Sequence, residues 1–354
     1  SSVENTMEKI KELNTEERPY EKCERFGAKH LTNIELLAVL LRTGTKGENS
    51  LQLAKKILYP DSHITFIVNK PFVEVATYCD GVDEVVAYDK KGKHHGVKGA
   101  WNFYQEYKEK FKLGFEAAFV IYGNERGIVL AKLFGARKVY AENKGIINFL
   151  LDNPREIDYH GKTKVQTKNS ILLEQYSKKA IRELPMKFIP PESSYDDIEV
   201  LLEGLNIQDN KLVAICTTSK KKEKDMPLKD CKELIQTLKS KGYTLLLLGA
   251  GNVAKEYGEE LSKIAKDDFI NLVDKTTIAQ LGALLANCKA LISVDTGTMH
   301  LGLAVDVPTV CLFYIHTKAH LDAWAPEKSL YRCEVLTENI KVENIVKSLR
   351  KIME

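Results

Sequence analysis

The stretch Leu284–Tyr314, LLANCKALISVDTGTMHLGLAVDVPTVCLFY, decides the fold. It holds two short apolar runs, Ala290–Val294 (ALISV) and Thr309–Phe313 (TVCLF), both carrying β-branched residues and bounded by turn formers. Runs of that length fit strands buried on both faces of a parallel sheet. Between them the chain passes through Asp295-Thr-Gly-Thr-Met-His300 into a small-residue helix, Leu301–Val305. A strand thus ends in an Asp-Thr-Gly turn, and a helix begins at the carboxyl edge of the sheet, where open α/β sheets bind ligands.

The turn has anion-binding chemistry. Gly297 lets backbone approach a ligand closely, and the N–H groups of Thr296, Gly297 and Thr298 fall at a helix N-terminus. Thr296 and Thr298 add hydroxyls, and His300 can point back at the same anion. A phosphate would repel Asp295, which better suits holding the loop or accepting from a sugar hydroxyl. Taken alone, the pattern also fits an ordinary helix cap followed by a core histidine. Asp-Thr-Gly occurs in aspartic proteases too, but in all-β chains, and the βα alternation here argues against that fold.

ISVDTGTMHLGLAVDVPTVCLFY resembles the nucleotide-sugar signature of the family 9 glycosyltransferases, the ADP-heptose:lipopolysaccharide heptosyltransferases. Their pattern runs roughly V-D-T-G-x-x-H-x-A-x-A-x-x-x-P-x-x-x-L-F, and the match is long and gap-free.

The bulk properties bound the rest. At 354 residues the chain can hold two cores, and 44% hydrophobic with 29% charged residues describes a globular protein. Its 52 basic and 49 acidic residues leave a net charge of +3, which does not call for nucleic acid. Seven cysteines stand singly without CxxC spacing, as expected of reduced thiols in a cytoplasm. The polar amino end is unlike a signal peptide, and no apolar run approaches the roughly 20 residues that span a bilayer. The expectation is a cytoplasmic protein whose membrane contact, at the inner face of the inner membrane, is peripheral.

Residues 1–58 are rich in helix formers, with Thr32 or Asn33 placed to cap a helix opening at Glu35 and Ser50 to cap Leu51–Leu58. The run ERP…ERFGAKHLT…ELLAVLLRTGT resembles the amino-terminal helical segment of RadC-type proteins. In that family a metalloprotease-like domain with an H-x-H metal motif follows. Here the nearest candidate is His94-His95 in KKGKHHGVKG, which reads as a solvated loop, so no metal site is expected. From Pro60, strands at His63–Val68, Val82–Tyr88, Ala117–Tyr122 and Lys138–Tyr140 alternate with helices, implying a parallel sheet. This part resembles the acceptor-side domain of family 9, in which Gly123-Asn-Glu-Arg126 closes a strand; the resemblance offers Asn124 and Arg126 to the acceptor. Leu184–Tyr195, with three prolines, is the expected linker. Beyond it, Lys211–Cys216 is a strand ending in Thr217-Thr218-Ser219, then KKKEKDMP, and Thr244–Leu248 ends in Gly249-Ala-Gly251.

The resemblance implies an α/β protein of GT-B architecture: two facing Rossmann-like domains with a helical amino-terminal segment, divided at 1–58, 59–186 and 187–354. The implied reaction is inverting, metal-independent transfer of heptose from ADP-heptose, a co-substrate and not a cofactor, to a lipopolysaccharide inner-core saccharide. Thr217, Thr218, Gly249, Asp295, Thr296, Gly297, Thr298 and His300 would form the donor site. Lys224 would contact the donor phosphate, with Met226 where the family usually carries Trp. The family's amino-terminal Gly-Asp base motif is not evident. One alignment takes Leu36–Leu41 as the preceding strand and Gly47-Glu48 as its counterpart, which would make Glu48 the general base. Two alternatives stay open: a nucleotide-sugar-binding protein without catalysis, and a fusion whose amino-terminal helices bind a partner.

Overall fold

The computed structural model describes residues 62–121, 125–143, 145–157, 164–178, 180, 185–207 and 211–354, with the backbone alone at 35–40 and 165–169. The chain divides into two compact units. One takes Ser1–Thr77, Gly81–Ile157 and Asn169–Arg182; the other takes Tyr78–Asp80, Asp158–Lys168 and Glu183–Glu354.

The first unit is built on five parallel strands: β1 (Glu35–Leu40), β2 (His63–Asn69), β3 (Glu84–Tyr88), β4 (Phe115–Ile121) and β5 (Ala136–Ala141). Their order is β3-β2-β1-β4-β5. The helix expected to open at Glu35 is instead this central strand, with Leu37 in register with Thr65 on one side and Ala118 on the other. Helix propensity separates such residues by only tenths of a kcal/mol each. From Leu36 to Leu40 ladders on both sides engage the backbone and decide the matter. The strand reading of Leu36–Leu41 thereby holds through Leu40, while Glu48 lies outside the described residues.

Among the described residues the α-helices of this unit are α1 (Val73–Thr77), α2 (Gly96–Tyr107), α3 (Glu125–Leu133) and most of α4 (Val165–Ser177). Between α2, α3 and the sheet lies an aromatic core of Phe103, Phe111, Phe115 and Phe134, with ring centroids 5.1–5.8 Å apart along the chain of contacts. Each fully buried aromatic of this kind stabilises the fold by about 1.5–3 kcal/mol.

His94 belongs to that core, a correction to the solvated-loop expectation. It is fully buried between the rings of Tyr88 and Phe103. Its Nδ1 accepts the Asp89 N–H at 2.9 Å, so the ring proton sits on Nε2 and donates to Glu106 Oε2 at 3.2 Å. Tyr88 OH donates to the His94 carbonyl at 2.9 Å. Every polar atom of the ring is satisfied, which lets a histidine sit where the neighbouring His95 remains exposed.

The second unit carries six parallel strands: β6 (Leu212–Cys216), β7 (Thr244–Leu248), β8 (Ile270–Asn271), β9 (Ala290–Val294), β10 (Thr309–Leu312) and β11 (Cys333–Leu336). The order is β11-β10-β9-β6-β7-β8. β6 and β9 are buried along their whole length, as continuous apolar runs between two helical layers should be. The helices are α5 (Glu192–Gly204), α6 (Leu228–Ser240), α7 (Asn252–Ala265), α8 (Ile278–Ala286), α9 (Gly297–Ala304), α10 (Lys318–Trp324) and α11 (Val342–Met353). On α11, Ile345 and Leu349 face inward, as their spacing predicts.

The proline-rich stretch is extended only as far as Pro191. Ile189 N–H donates to the Tyr78 carbonyl at 2.9 Å, and α5 starts at Glu192, inside the expected linker. Glu192 sits in the first turn of α5, where a carboxylate is favoured.

Candidate functional site

In the second sheet the chain runs outward from β6 to β7 and β8, then returns to lay β9 against the other side of β6 before continuing to β10 and β11. The strand order reverses between β6 and β9. Outside the carboxyl ends of two such strands lies the crevice in which open α/β sheets hold ligands.

β6 delivers Thr217 and Thr218 to that point, both buried. The chain after them folds back on itself. Ser219 N–H donates to Asp225 Oδ1 at 2.7 Å, and Met226 N–H donates to the Thr217 carbonyl at 2.9 Å. Met226 is buried in the core under α6, and Tyr257 OH on α7 donates to its carbonyl at 2.9 Å. Pinned at both ends, the loop presents Lys224 from a single 3₁₀ turn, Lys222–Lys224.

β9 delivers Asp295. Its Oδ2 takes the Lys224 ammonium at 2.5 Å and His320 Nε2 at 2.7 Å, so His320 carries its proton on Nε2. The Asp295 side chain is 9% exposed and that of Lys224 is 17% exposed. Burial pushes the Asp295 carboxyl up, but hydrogen bonds from Lys224 and His320, with the charges of Lys224 and His300, outweigh it and hold the group below its ordinary value. Asp295 therefore does what a loop-holding residue should: it ties the β6 loop and α10 to the end of β9.

α9 begins immediately beyond. Thr296 is its extended N-cap, and the Thr296 side chain makes no capping hydrogen bond. A Cβ built on Gly297 would meet nothing within 4 Å, so the start of the helix fronts on open space. The first amides of an α-helix have no partner within it. An anion in that space would meet them and the positive end of the helix dipole. Thr298 turns its hydroxyl to the Cys216 sulfur at the end of β6, and His300 is buried on the next turn. Gly249, at the end of β7, borders the same edge: a Cβ there would lie 2.7 Å from Ala254 Cβ and 3.6 Å from Thr218 Oγ1.

The structure therefore brings Thr217, Thr218, Lys224, Gly249, Asp295, Thr296, Gly297, Thr298 and His300 to one edge of one sheet. It adds His320, carried by α10. Lys164 is also new. Its ammonium is 2.6 Å from the Ala325 carbonyl and 3.3 Å from Glu327, just past the carboxyl end of α10, the helix that holds His320. A cation there satisfies orphan carbonyls and opposes the dipole. Among the described residues no group of three or more His, Cys, Asp and Glu side chains is placed to hold a metal.

In the first unit, Arg126 stands half-buried in the first turn of α3, beyond the carboxyl end of β4. Burial pushes the Tyr88 phenol up and the charge of the Arg126 guanidinium pulls it part of the way back. Asn124 lies outside the described residues.

Two doubly wound parallel sheets, the second with Thr217, Thr218, Lys224 and the start of α9 gathered at its switch point, define a protein of the GT-B fold class. The chain belongs to glycosyltransferase family 9 (heptosyltransferase), whose model matches residues 138–348, and it carries a UPF0758 N-terminal domain at residues 10–88. A glycosyltransferase of family 9 from Veillonella parvula superposes with a TM-score of 0.79 at 19% identity, covering 90% of this chain and 97% of that one. Escherichia coli ADP-heptose lps heptosyltransferase II superposes at 0.72 with 17% identity, over 90% and 98% of the two chains. The E. coli heptosyltransferase WaaC with ADP gives 0.68 at 15%, over 90% and 99%. At these identities the likeness is one of fold.

The curated relatives are UPF0758 proteins. A UPF0758 protein of Clostridium botulinum Eklund 17B is 55% identical over 56 residues, 16% of this chain and only 24% of that protein. Another, from C. botulinum Alaska E43, is 30% identical over 189 residues, 47% of this chain and 76% of its own length. The UPF0758 match at 10–88 includes β1, β2 and β3, and the family 9 match starts within β5, so both contribute strands to one sheet.

Proposed function

We propose that the protein transfers a heptose from ADP-heptose to a lipopolysaccharide inner-core saccharide, inverting the anomeric centre and needing no metal ion. The observation that carries this reading is the convergence, at the β6/β9 switch point, of Thr217, Thr218, Lys224 and the open start of α9. In the proposed reaction the acceptor hydroxyl attacks the anomeric carbon from the face opposite the diphosphate. Its proton goes to a base, for which Glu48 is proposed, and the bond to the diphosphate oxygen breaks. Charge then develops on ADP, where the amides of Thr296–Thr298 and the Lys224 ammonium would meet it. Lys224 leaves Asp295 for the phosphate, and His320 keeps that carboxylate satisfied. Arg126 and Asn124 are proposed for the acceptor. The work would take place on the cytoplasmic side of the inner membrane; no helix among the described residues is long and apolar enough to cross one.

Calorimetric titration with ADP tests the donor site. Lys224→Ala should remove a charge-assisted contact of about 1.5–3 kcal/mol, weakening ADP on the order of tenfold to a hundredfold. Glu48→Gln should abolish transfer and leave ADP affinity unchanged. Failure of the wild-type chain to bind ADP, or full affinity in Lys224→Ala, overturns the reading.

A further inference from the structure

We propose that the outer face of α3, with the 3₁₀ turn beside it, is an interface across which two copies of this chain pair. Successive residues of an α-helix point about 100° apart, so Lys132, Leu133 and Phe134 divide the circle around the end of α3. Phe134 turns to α2, where its ring centroid lies 5.8 Å from that of Phe103 and 5.5 Å from that of Tyr104. Lys132 turns the other way, its ammonium 4.0 Å from Asp152 Oδ2. Ile128 and Ala131 are buried in the core. Leu133 is left on the outside between the two neighbours, with Val129 one turn behind it, and both are exposed.

On the Lys132 side, the 3₁₀ turn Gly145–Leu150 packs against α3. Val139, in the middle of β5, donates its N–H to Asp152 Oδ2 at 2.7 Å, and its carbonyl accepts the Asp152 N–H at 2.8 Å. That pair fastens the returning chain alongside the outermost strand. Ile147 and Leu150 pack on the core, and Ile146 (93%) and Phe149 (79%) are left outside, three residues apart. On the Phe134 side, Tyr104 carries the face to Trp101 (53%), with ring centroids 5.3 Å apart. Five exposed apolar side chains thus stand on three neighbouring elements. Together they present on the order of 600 Å², the upper end for a monomer's largest apolar patch and most of the roughly 800 Å² per partner in a standard interface.

The charges at the two margins select the occupant. Asp89–Lys112, which is α2 and the turns at its ends, carries seven lysines against three carboxylates. Lys98 and Lys108, three residues before Trp101 and seven after it, share its helix face and are exposed. Across the ridge, Glu142–Glu156 carries three carboxylates against two basic residues. In a two-fold pair each surface meets its own copy turned half round. With the axis running along α3, the basic margin of each copy falls on the acidic margin of the other, and the apolar ridge is shut between them. An axis across α3 would set lysines against lysines. A polyanion or an acidic bilayer would meet carboxylates along one margin, whereas a second copy answers both.

Sedimentation velocity of the full chain over a concentration series tests the pairing. A reversible dimer is expected, weakened at least about a hundredfold by Ile146→Ser with Phe149→Ser, because each substitution counts on both copies. Charge reversal reports the arrangement. Lys98→Glu with Lys108→Glu, and separately Glu142→Lys with Glu156→Lys, should each give monomer at concentrations where the wild type is dimeric. An equimolar mixture of those two variants should pair again as a heterodimer, which misfolded chains would not do. Unchanged far-ultraviolet dichroism would show the Ile146 and Phe149 variant to be folded. A dimer indifferent to those two serines overturns the proposal, and so does a chain that stays monomeric throughout the series. If that monomer sediments with phosphatidylglycerol vesicles through Phe149, the occupant is a bilayer and the proposal falls equally. The inference stands whether or not the second unit takes an ADP-sugar.

Discussion

At Asp295 a single carboxylate oxygen serves two donors, and the balance can be read out by pH. Its folded value lies below the ordinary 3.8. The stability it contributes is therefore whole above that value and drains away as pH falls through the folded one. At pH 7, Asp295→Asn leaves the largely buried Lys224 without its counter-charge and should cost about 3 kcal/mol. In urea titrations from pH 7 down to pH 2 the gap between the two proteins should close below pH 4; a gap that stays constant would show that Asp295 does not hold Lys224 through its charge. Gly99 offers a second test, this time of sterics against propensity. In a helix, Gly→Ala ordinarily gains up to about 1 kcal/mol. A Cβ on Gly99 would lie 2.1 Å from the His94 carbonyl carbon, which is backbone and cannot swing aside. Overpacking at such a contact costs about 1–3 kcal/mol or more, so Gly99→Ala should lower the urea midpoint, with the slope unchanged.

Among the elements, what the sequence disclosed follows how far apart the deciding residues lie. The strands LVAIC, TLLLL and ALISV could be read because burial on both faces makes each a continuous apolar run, and the turn after ALISV carries its own chemistry. The helix at Leu228–Ser240 could be read because Pro227 marks its start and Cys231, Leu234, Ile235 and Leu238 recur at helical spacing. Glu35–Leu40 could not, because ELLAVL satisfies either period and only the pairing with β2 and β4 settles it. Nor could the burial of His94, whose neighbours in sequence are lysines and whose neighbours in space are Tyr88, Phe103 and Glu106. His320 meets Asp295 across 25 residues, and Lys164 meets Ala325 across 161. Neither spacing leaves a local trace. The Lys164 contact makes α10 a testable element: Lys164→Met keeps the apolar stem but loses the ammonium at the helix end, worth about 1 kcal/mol. Amides 318–325 should then exchange faster with solvent while those of α11 do not change.

For the molecule as a whole, the thiols report on integrity. The six cysteines among the described residues are all buried, and burial pushes Cys231 and Cys288 up to about 12 and Cys333 up to about 11. The thiolate is the reactive species, so at pH 8 none of them should alkylate in the native state. Iodoacetamide followed by mass measurement should find at most Cys23 modified until denaturant is added; early labelling of Cys333 would locate the first part of the second unit to open. Finally, the middle position of β1 means that residues 1–59, which carry it, are no detachable appendage. Excising it would strand β3-β2 and β4-β5 as two orphaned ribbons, each with a raw edge where the missing strand had been. A truncated gene starting at Pro60 should consequently yield aggregate, because it lacks the keystone of the sheet.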